Sequence, residues 1–321
     1  MALNGGFRYR EKIDHQASGA RLLDHLCAKY RHSDRATWRE RLHRGQIFLD
    51  DCVVTSDCLL KSGQWLTWQR PPWKEPDVPL VYAVLHEDKD LLALAKPKGL
   101  PAVPGGGFLD HTLLALVRKS YPEATPMHRL GRGTSGVLLF ARTAPARSAL
   151  GRAFRNREVQ RVYRALICGK PAEDHFTVDA SIGPVHHPRL GTIHAFNPDG
   201  KYAKSLVRVL ERREQDSLVE VTIETGRPHQ IRVHMAFAGH PLVGDPLYTT
   251  GGRLAGKGTA LPGDAGYLLH AESLSFAHPE GTTFLHIYCH PPMPLRSQVS
   301  PESEGRAGFG VLVSKKGARI M

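Results

Sequence analysis

Leu218-Val219-Glu220-Val221-Thr222-Ile223-Glu224 runs directly into Thr225-Gly226-Arg227-Pro228-His229-Gln230-Ile231-Arg232-Val233-His234-Met235, and this junction decides how the rest of the 321-residue chain is read. In its first half, apolar Val219, Val221 and Ile223 alternate with Glu220, Thr222 and Glu224. Successive strand side chains point to opposite faces, so a period of two predicts a half-buried strand. Over 227–238 the apolar spacing becomes helical, and Gly239 closes the segment. Upstream, Leu80-Val81-Tyr82-Ala83-Val84-Leu85 and Leu91-Leu92-Ala93-Leu94-Ala95 flank the polar turn Glu87-Asp88-Lys89-Asp90, the pattern of a hairpin. Val137-Leu138-Leu139-Phe140-Ala141 is unbroken and apolar, as a fully buried strand requires. Ala146, Leu150, Ala153 and Phe154 share one helical face, with Arg147, Arg152 and Arg155 elsewhere. Asp110 is placed to cap a helix over 112–119 that stops before Pro122. The fold class expected is therefore α+β, with a mixed, mostly antiparallel sheet spanning 80–291 and a loose, Ser-, Gly- and charge-rich tail over 292–321.

Residues 1–70 read as a separate small module. Gly19-Ala20-Arg21-Leu22-Leu23-Asp24-His25-Leu26 opens an amphipathic helix, and Thr37-Trp38-Arg39-Glu40-Arg41-Leu42-His43-Arg44-Gly45 a second one ending at glycine. Short strands follow at 46–49 and 64–68. Over 71–79, Pro71, Pro72, Pro76 and Pro79 mark a linker. Apolar residues at 41% and charged residues at 23% exclude a disordered or fibrous chain. No apolar run approaches the roughly 18 residues needed to cross a bilayer. Residues 1–10 lack the apolar stretch of a secretory signal, so none is expected. Cys27, Cys52, Cys58, Cys168 and Cys289 are scattered and form no C-x-x-C pair, which argues against disulfides or structural zinc and for the reducing cytoplasm. Subtracting 31 Asp and Glu from 43 Lys and Arg leaves +12, a charge that calls for a polyanionic partner.

Four segments carry candidate chemistry. Leu94-Ala95-Lys96-Pro97-Lys98-Gly99-Leu100 ends a strand in a lysine and a turn. His128-Arg129-Leu130-Gly131-Arg132-Gly133-Thr134-Ser135-Gly136 is a basic glycine-rich loop entering the buried strand. Arg161-Val162-Tyr163-Arg164 sets an aromatic between arginines, within a stretch, 142–170, that holds eight Lys and Arg against the single acid Glu158. The fourth is the Thr225–Met235 segment, followed by Gly244-Asp245-Pro246-Leu247-Tyr248. Arginine-rich loops approach phosphates closely, and an accessible tyrosine can stack on a base turned out of its helix. Simpler roles stand beside these. Ser135 has no nucleophile-elbow context and is read as bonding its own turn, Gly105-Gly106-Gly107 lacks the ending of a phosphate loop, and His229 and His234 are five apart, off metal-ligand spacing.

These motifs, in this order over 84–279, resemble the RluA-type branch of RNA pseudouridine synthases, and the front module resembles the alpha-L RNA-binding module. The resemblance implies an enzyme that detaches uracil from C1′ of uridine and rejoins it through C5, without cofactor or metal. It implies a central cleft in the sheet, with Tyr163 packed on the flipped base and Arg232 organising a catalytic carboxylate. Arg129 would help turn the base out, His128 would support the loop, and Arg227, His229 and Gln230 would shape the pocket. Arg21, Lys29, Arg31, Arg35, Arg39, Arg41 and Arg44 would grip RNA phosphates from the front module. The chain departs from the family where the catalytic aspartate follows H-R-L, because that place is Gly131. Glycine can neither attack C1′ nor take a proton from the sugar. Either catalysis is lost and RNA binding kept, or a carboxylate such as Asp245, Asp110 or Glu224 fills the space, or the site works in altered form. The expected function is uridine isomerisation in ribosomal or transfer RNA by a monomer that needs no membrane, with a non-catalytic RNA-binding or RNA-folding protein as the alternative.

Overall fold

The computed structural model describes residues 3–256, 260–281 and 283–298, together with the backbone of 310–315. It divides into two compact units, Met1–Glu75 with His187–Gly191, and Pro76–His186 with Thr192–Met321.

In the first unit the helices Leu22–Lys29 and Arg35–His43 accompany a four-stranded antiparallel sheet, ordered Phe7–Lys12, Trp65–Arg70, Ile47–Leu49, Cys52–Val53. Leu22, Leu23 and Leu26 meet Trp38, Leu42, Ile47 and Leu66 in one core. The second helix starts earlier than its apolar spacing predicts, because the Asp34 carboxylate accepts from the Thr37 N–H and caps it. Gly45 follows it at φ 66°, a left-handed turn suited to glycine. Of the seven cations expected to face RNA, Arg41 is instead sandwiched, its guanidinium 4.4 Å from the Trp38 ring centre and 4.2 Å from that of Trp68. Lys29 pairs with Glu11, and Arg35 with Asp24.

The second unit is built on an eleven-stranded sheet. Its main path runs His175–Asp179, Lys204–Arg212, Asp216–Ile223, Gln160–Cys168, Leu269–Ala277, Ser135–Ala141, Leu91–Lys96, Ala83–Glu87. Every pairing is antiparallel except that of Ser135–Ala141 with Leu269–Ala277, which is parallel. The apolar run of the 135–141 strand serves both faces of the sheet. Leu138 and Phe140 join Leu92, Leu94 and Tyr163 on one side, while Val137, Leu139 and Ala141 join Leu91, Ala93, Ala146 and Leu150 on the other. The second layer is closed by the helix Ala144–Arg155, capped by Thr143 and carrying proline in its first turn.

Three local expectations are corrected. The helix Leu113–Arg118 is capped by the Thr112 hydroxyl, which accepts from the Ala115 N–H, and not by Asp110. The helix expected over 227–238 is Gln230–Phe237, because His229 sits at φ 57° in the left-handed region and keeps the preceding turn out of the helix. The region after 291, expected to be loose, contains the 3-10 turn Met293–Leu295, whose Leu295 packs on Leu166 and Leu218, and the strand Gly310–Lys315 paired with Thr283–Tyr288.

Lys96 ends its strand 1% exposed, donating Nζ to the carbonyl oxygens of Pro97 (2.8 Å), Leu100 (2.6 Å) and Arg132 (3.4 Å). It thereby ties the Pro97–Leu100 turn to the glycine-rich loop, a link reinforced by the Gly99 N–H bonding the Arg132 carbonyl at 2.8 Å. Burial pushes its ammonium down to about 7 from 10.5. The unfolded chain therefore holds a proton that the folded lysine releases between those values, so the penalty is full below pH 7 and fades as pH rises. Urea unfolding should show the protein gaining about 2–3 kcal/mol between pH 7 and about pH 9.5, a gain absent in Lys96→Met. An equal gain in both proteins would refute this account of Lys96.

Candidate active site

Sheet register assembles the site. Ala271 pairs with Gly136 on one side and with Tyr163 on the other, so the glycine-rich loop and Tyr163 stand two strand spacings apart, roughly 10 Å. Tyr163 also pairs with Val221, on the strand whose end at Ile223 leads through the Thr225-Gly226-Arg227 turn into the helix bearing Arg232. Three segments remote in sequence thus open on one depression. Its inner part, about 110 Å³, is lined by Arg129, Gly131, Tyr163, Arg227, Arg232 and Tyr267, with His229 and Gln230 also on its wall. Its outer part, about 540 Å³, shares Arg129, Tyr163 and Arg227 and adds His128, Arg155, Arg157, Arg161 and Glu224. All eight residues singled out in the sequence line one part or the other.

Each wall residue is held in a definite state. Tyr163 is 8% exposed, and burial raises its phenol above the ordinary range, against a smaller opposing pull from Arg161. Arg232, 2% exposed, grips Asp245 through Nε (2.6 Å) and Nη2 (2.7 Å) and donates Nη1 to the Pro262 carbonyl (3.0 Å). His128 is half-buried and its Nε2 accepts from the Leu139 N–H at 3.1 Å, which requires a neutral ring. Burial and then Arg161 push it down to about 3. His229 faces Tyr248 at 2.6 Å, and the Tyr248 O–H is committed to the His194 carbonyl at 2.5 Å. His229 therefore donates from Nδ1 and leaves Nε2 as an acceptor. Burial first, then Arg232, push its pKa down to about 3, so the ring stays neutral. Gln230 is saturated: its carbonyl accepts from the Thr225 hydroxyl (2.7 Å) and the Arg227 N–H (3.1 Å), and its amide donates to Lys204 O and Ser205 Oγ. It shapes the turn that carries Arg227, which in turn donates Nε to the Tyr202 carbonyl at 2.9 Å.

The outer chamber is strongly cationic. Arg129, Arg155, Arg157, Arg161 and Arg227 line it against the single acid Glu224, which is itself paired with Lys204 at 3.0 Å. Arg161 is 9% exposed, and its Nε has no hydrogen-bond partner among the described residues. Strand alternation separates the two arginines around Tyr163. Arg161 shares the cleft face, whereas Arg164 lies on the reverse face, buried against Glu272 at 2.5 and 3.2 Å. Ser135 leaves its own turn and meets His270 Nδ1 at 2.8 Å, on the neighbouring strand.

No carboxylate lines the inner part among the described residues. Asp245 does not fill the place that Gly131 leaves. Its side chain is 1% exposed and accepts from Arg232 twice and from the N–H groups of Leu247 (2.9 Å) and Tyr248 (3.2 Å), so its role is to hold Arg232. Asp110 lies in the loop before Leu113 and lines neither part. The space beside Gly131 belongs to Tyr267, which sequence reasoning missed. The Tyr267 ring lies 4.2 Å from the Arg232 guanidinium carbon, and its hydroxyl lies 3.3 Å from that of Thr134. Nothing local in the Gly266-Tyr267-Leu268 stretch advertises that contact.

The chain is similar to known proteins over most of its length. The model of the family described as RNA pseudouridylate synthase matches residues 90–237. An uncharacterized RNA pseudouridine synthase of Synechocystis is 45% identical over 259 residues, 80% of this chain and 89% of that one. RNA pseudouridine synthase 5 of Arabidopsis thaliana is 39% identical over 85% of this chain and 89% of its own length. The ribosomal large subunit pseudouridine synthase D of Vibrio cholerae is 32% identical over 86% and 88%. Among solved structures, human RNA Pseudouridylate Synthase Domain Containing 1 superposes with a TM-score of 0.53 at 26% identity, over 69% of this chain and 87% of that one.

Proposed function

The chain belongs to the RluA-type RNA pseudouridine synthases, and we propose that it isomerises uridine to pseudouridine in structured ribosomal or transfer RNA at the Tyr163–Arg232 cleft. The observation that carries this reading is the joining of an inner pocket, walled by Tyr163 and Arg232, to a chamber lined by five arginines. A uridine swung out of its helix would stack on Tyr163, while phosphates beside it meet Arg155, Arg157 and Arg161. Neutral His229, also on the pocket wall, offers its Nε2 as an acceptor to a base N–H. The front unit, with its exposed cations, would add sequence-independent grip.

Isomerisation replaces the C5–H bond of uracil by C5–C1′, while N1 loses its bond to C1′ and gains a proton. Tritium at C5 must therefore pass into water. Ribosomal and transfer RNA transcribed in vitro with 5-tritiated uridine should lose tritium on incubation with the protein, and Arg129→Ala should slow the loss about 10- to 100-fold by impairing base extrusion. Gly131 favours a second reading, an RNA-binding protein without catalysis. Tight binding of the same transcripts with no tritium release from any of them would establish that reading and overturn the first.

A further inference from the structure

The substitution at 131 is matched by an unusual neighbour. A β-carbon built on Gly131 would lie 2.7 Å from the Tyr267 phenolic oxygen and 3.5 Å from Thr134 Oγ1, and one built on Gly133 would lie 2.8 Å from Tyr267 Cζ. Atoms held rigidly at less than 3 Å from a β-carbon exclude it, so both glycines are conditions for the tyrosine being there. The separation of 2.7 Å is close to that at which an aspartate's own carboxylate oxygens stand from its β-carbon. An oxygen thus stands about as near a β-carbon at 131 as that residue's own carboxylate would, carried by the segment that enters the Leu269–Ala277 strand. Three contacts fix it there. Thr134 Oγ1 lies 3.3 Å from the phenolic oxygen, the Arg232 guanidinium covers the ring at 4.2 Å, and the ring itself lies against Gly133. Tyr267 is 1% exposed yet lines the inner pocket together with Tyr163.

We propose that Tyr267 supplies the side chain that position 131 lacks, its phenolic oxygen being the hydrogen-bonding group set against the sugar of the bound uridine. Gly131 and Tyr267 are then one unit, and Arg232 serves it twice, as a cation over the ring and as the partner that anchors Asp245. The inference rests on the reading of the cleft as a uridine isomerase. It also changes the meaning of restoring an acid at 131: aspartate there collides with Tyr267 and cannot by itself bring back the family site.

The test uses the full chain and the 5-tritiated transcripts. Tyr267→Phe keeps the ring over Gly133 and under Arg232 and removes one oxygen. It should lower kcat for tritium release about 100- to 1000-fold with KM for RNA unchanged, while loss of the Thr134 contact lowers Tm only by a few degrees. A purely space-filling tyrosine predicts wild-type kcat in this variant, and that result overturns the proposal. Gly131→Asp should lower both activity and Tm, whereas Gly131→Asp with Tyr267→Ala should recover Tm and exceed either single variant in tritium release. Stability losses that simply add across the pair also overturn it. Absence of release by the unaltered protein defeats the functional reading itself and with it the catalytic role of Tyr267, while the Tm cycle still decides whether the two positions are coupled.

Discussion

Arg232→Ala is expected to cost about 3–5 kcal/mol of folding free energy and to abolish tritium release. Arg232 and Asp245 are 3% and 1% exposed in their side chains and share a two-pronged contact at 2.6 and 2.7 Å. Removing the guanidinium leaves a buried carboxylate with two backbone N–H groups as its only neutralising partners, and also strips the cation from the Tyr267 ring and the donor from Pro262 O. Because two losses coincide, three variants separate them. Arg232→Lys keeps the charge without the planar fork and should recover stability only in part. The double variant Arg232→Ala with Asp245→Ala removes the stranded charge and should unfold at higher urea than Arg232→Ala alone, yet stay inactive. If Arg232→Ala unfolds at the wild-type urea concentration, the pair is not the buried structural link described here. If it also retains tritium release, Arg232 has no part in the reaction.

How far the sequence announces this arrangement depends on the range of the interaction. The alternation of Val219, Val221 and Ile223 marks a real strand, since burial of one face is imprinted residue by residue. The unbroken 137–141 run marks a strand covered on both sides, and the hairpin around Glu87-Asp88-Lys89-Asp90 forms where its turn chemistry puts it. Motif order brings eight residues to one cleft. What stays hidden is contact between segments with no common period. Thr134 and Tyr267 are 133 residues apart, and the parallel pairing of Ser135 and Gly136 with His270 and Ala271 draws their strands together. The partner of Arg232 is hidden for the same reason: Asp245 is visible as a nearby acid, but its four donors, which make it an anchor and not a reactive group, come from folded geometry. Helix ends are missed where one residue decides them, as Thr112 and left-handed His229 do.

That parallel pairing is also the place where a single methyl group should do the most damage. Gly136 stands at φ 109°, and a β-carbon there would fall on the backbone oxygen, carbon and nitrogen of Ala271, well inside van der Waals contact. Backbone atoms in the centre of a sheet cannot rotate aside as a side chain can. Gly136→Ala must therefore either push the 135–141 strand from the 269–277 strand or force alanine into a conformation that alone costs roughly 1–3 kcal/mol. Parting the strands loses ladder bonds between the two core layers and displaces the Lys96 end of the adjoining strand, which pairs with Gly136 on its other edge. The combined loss should exceed about 4 kcal/mol, a large share of the roughly 5–15 kcal/mol that holds a typical domain folded. Gly136→Ala should accordingly be insoluble or melt far below the wild type. Gly5→Ala makes the control, because nothing lies within 4 Å of the added carbon, and its stability should stay within about 0.5 kcal/mol of the wild type. A soluble Gly136→Ala protein with an unshifted Tm would mean that the two strands do not meet at this register. The route that places Gly131 beside Tyr267 and Arg232 would then have to be redrawn from that strand outward.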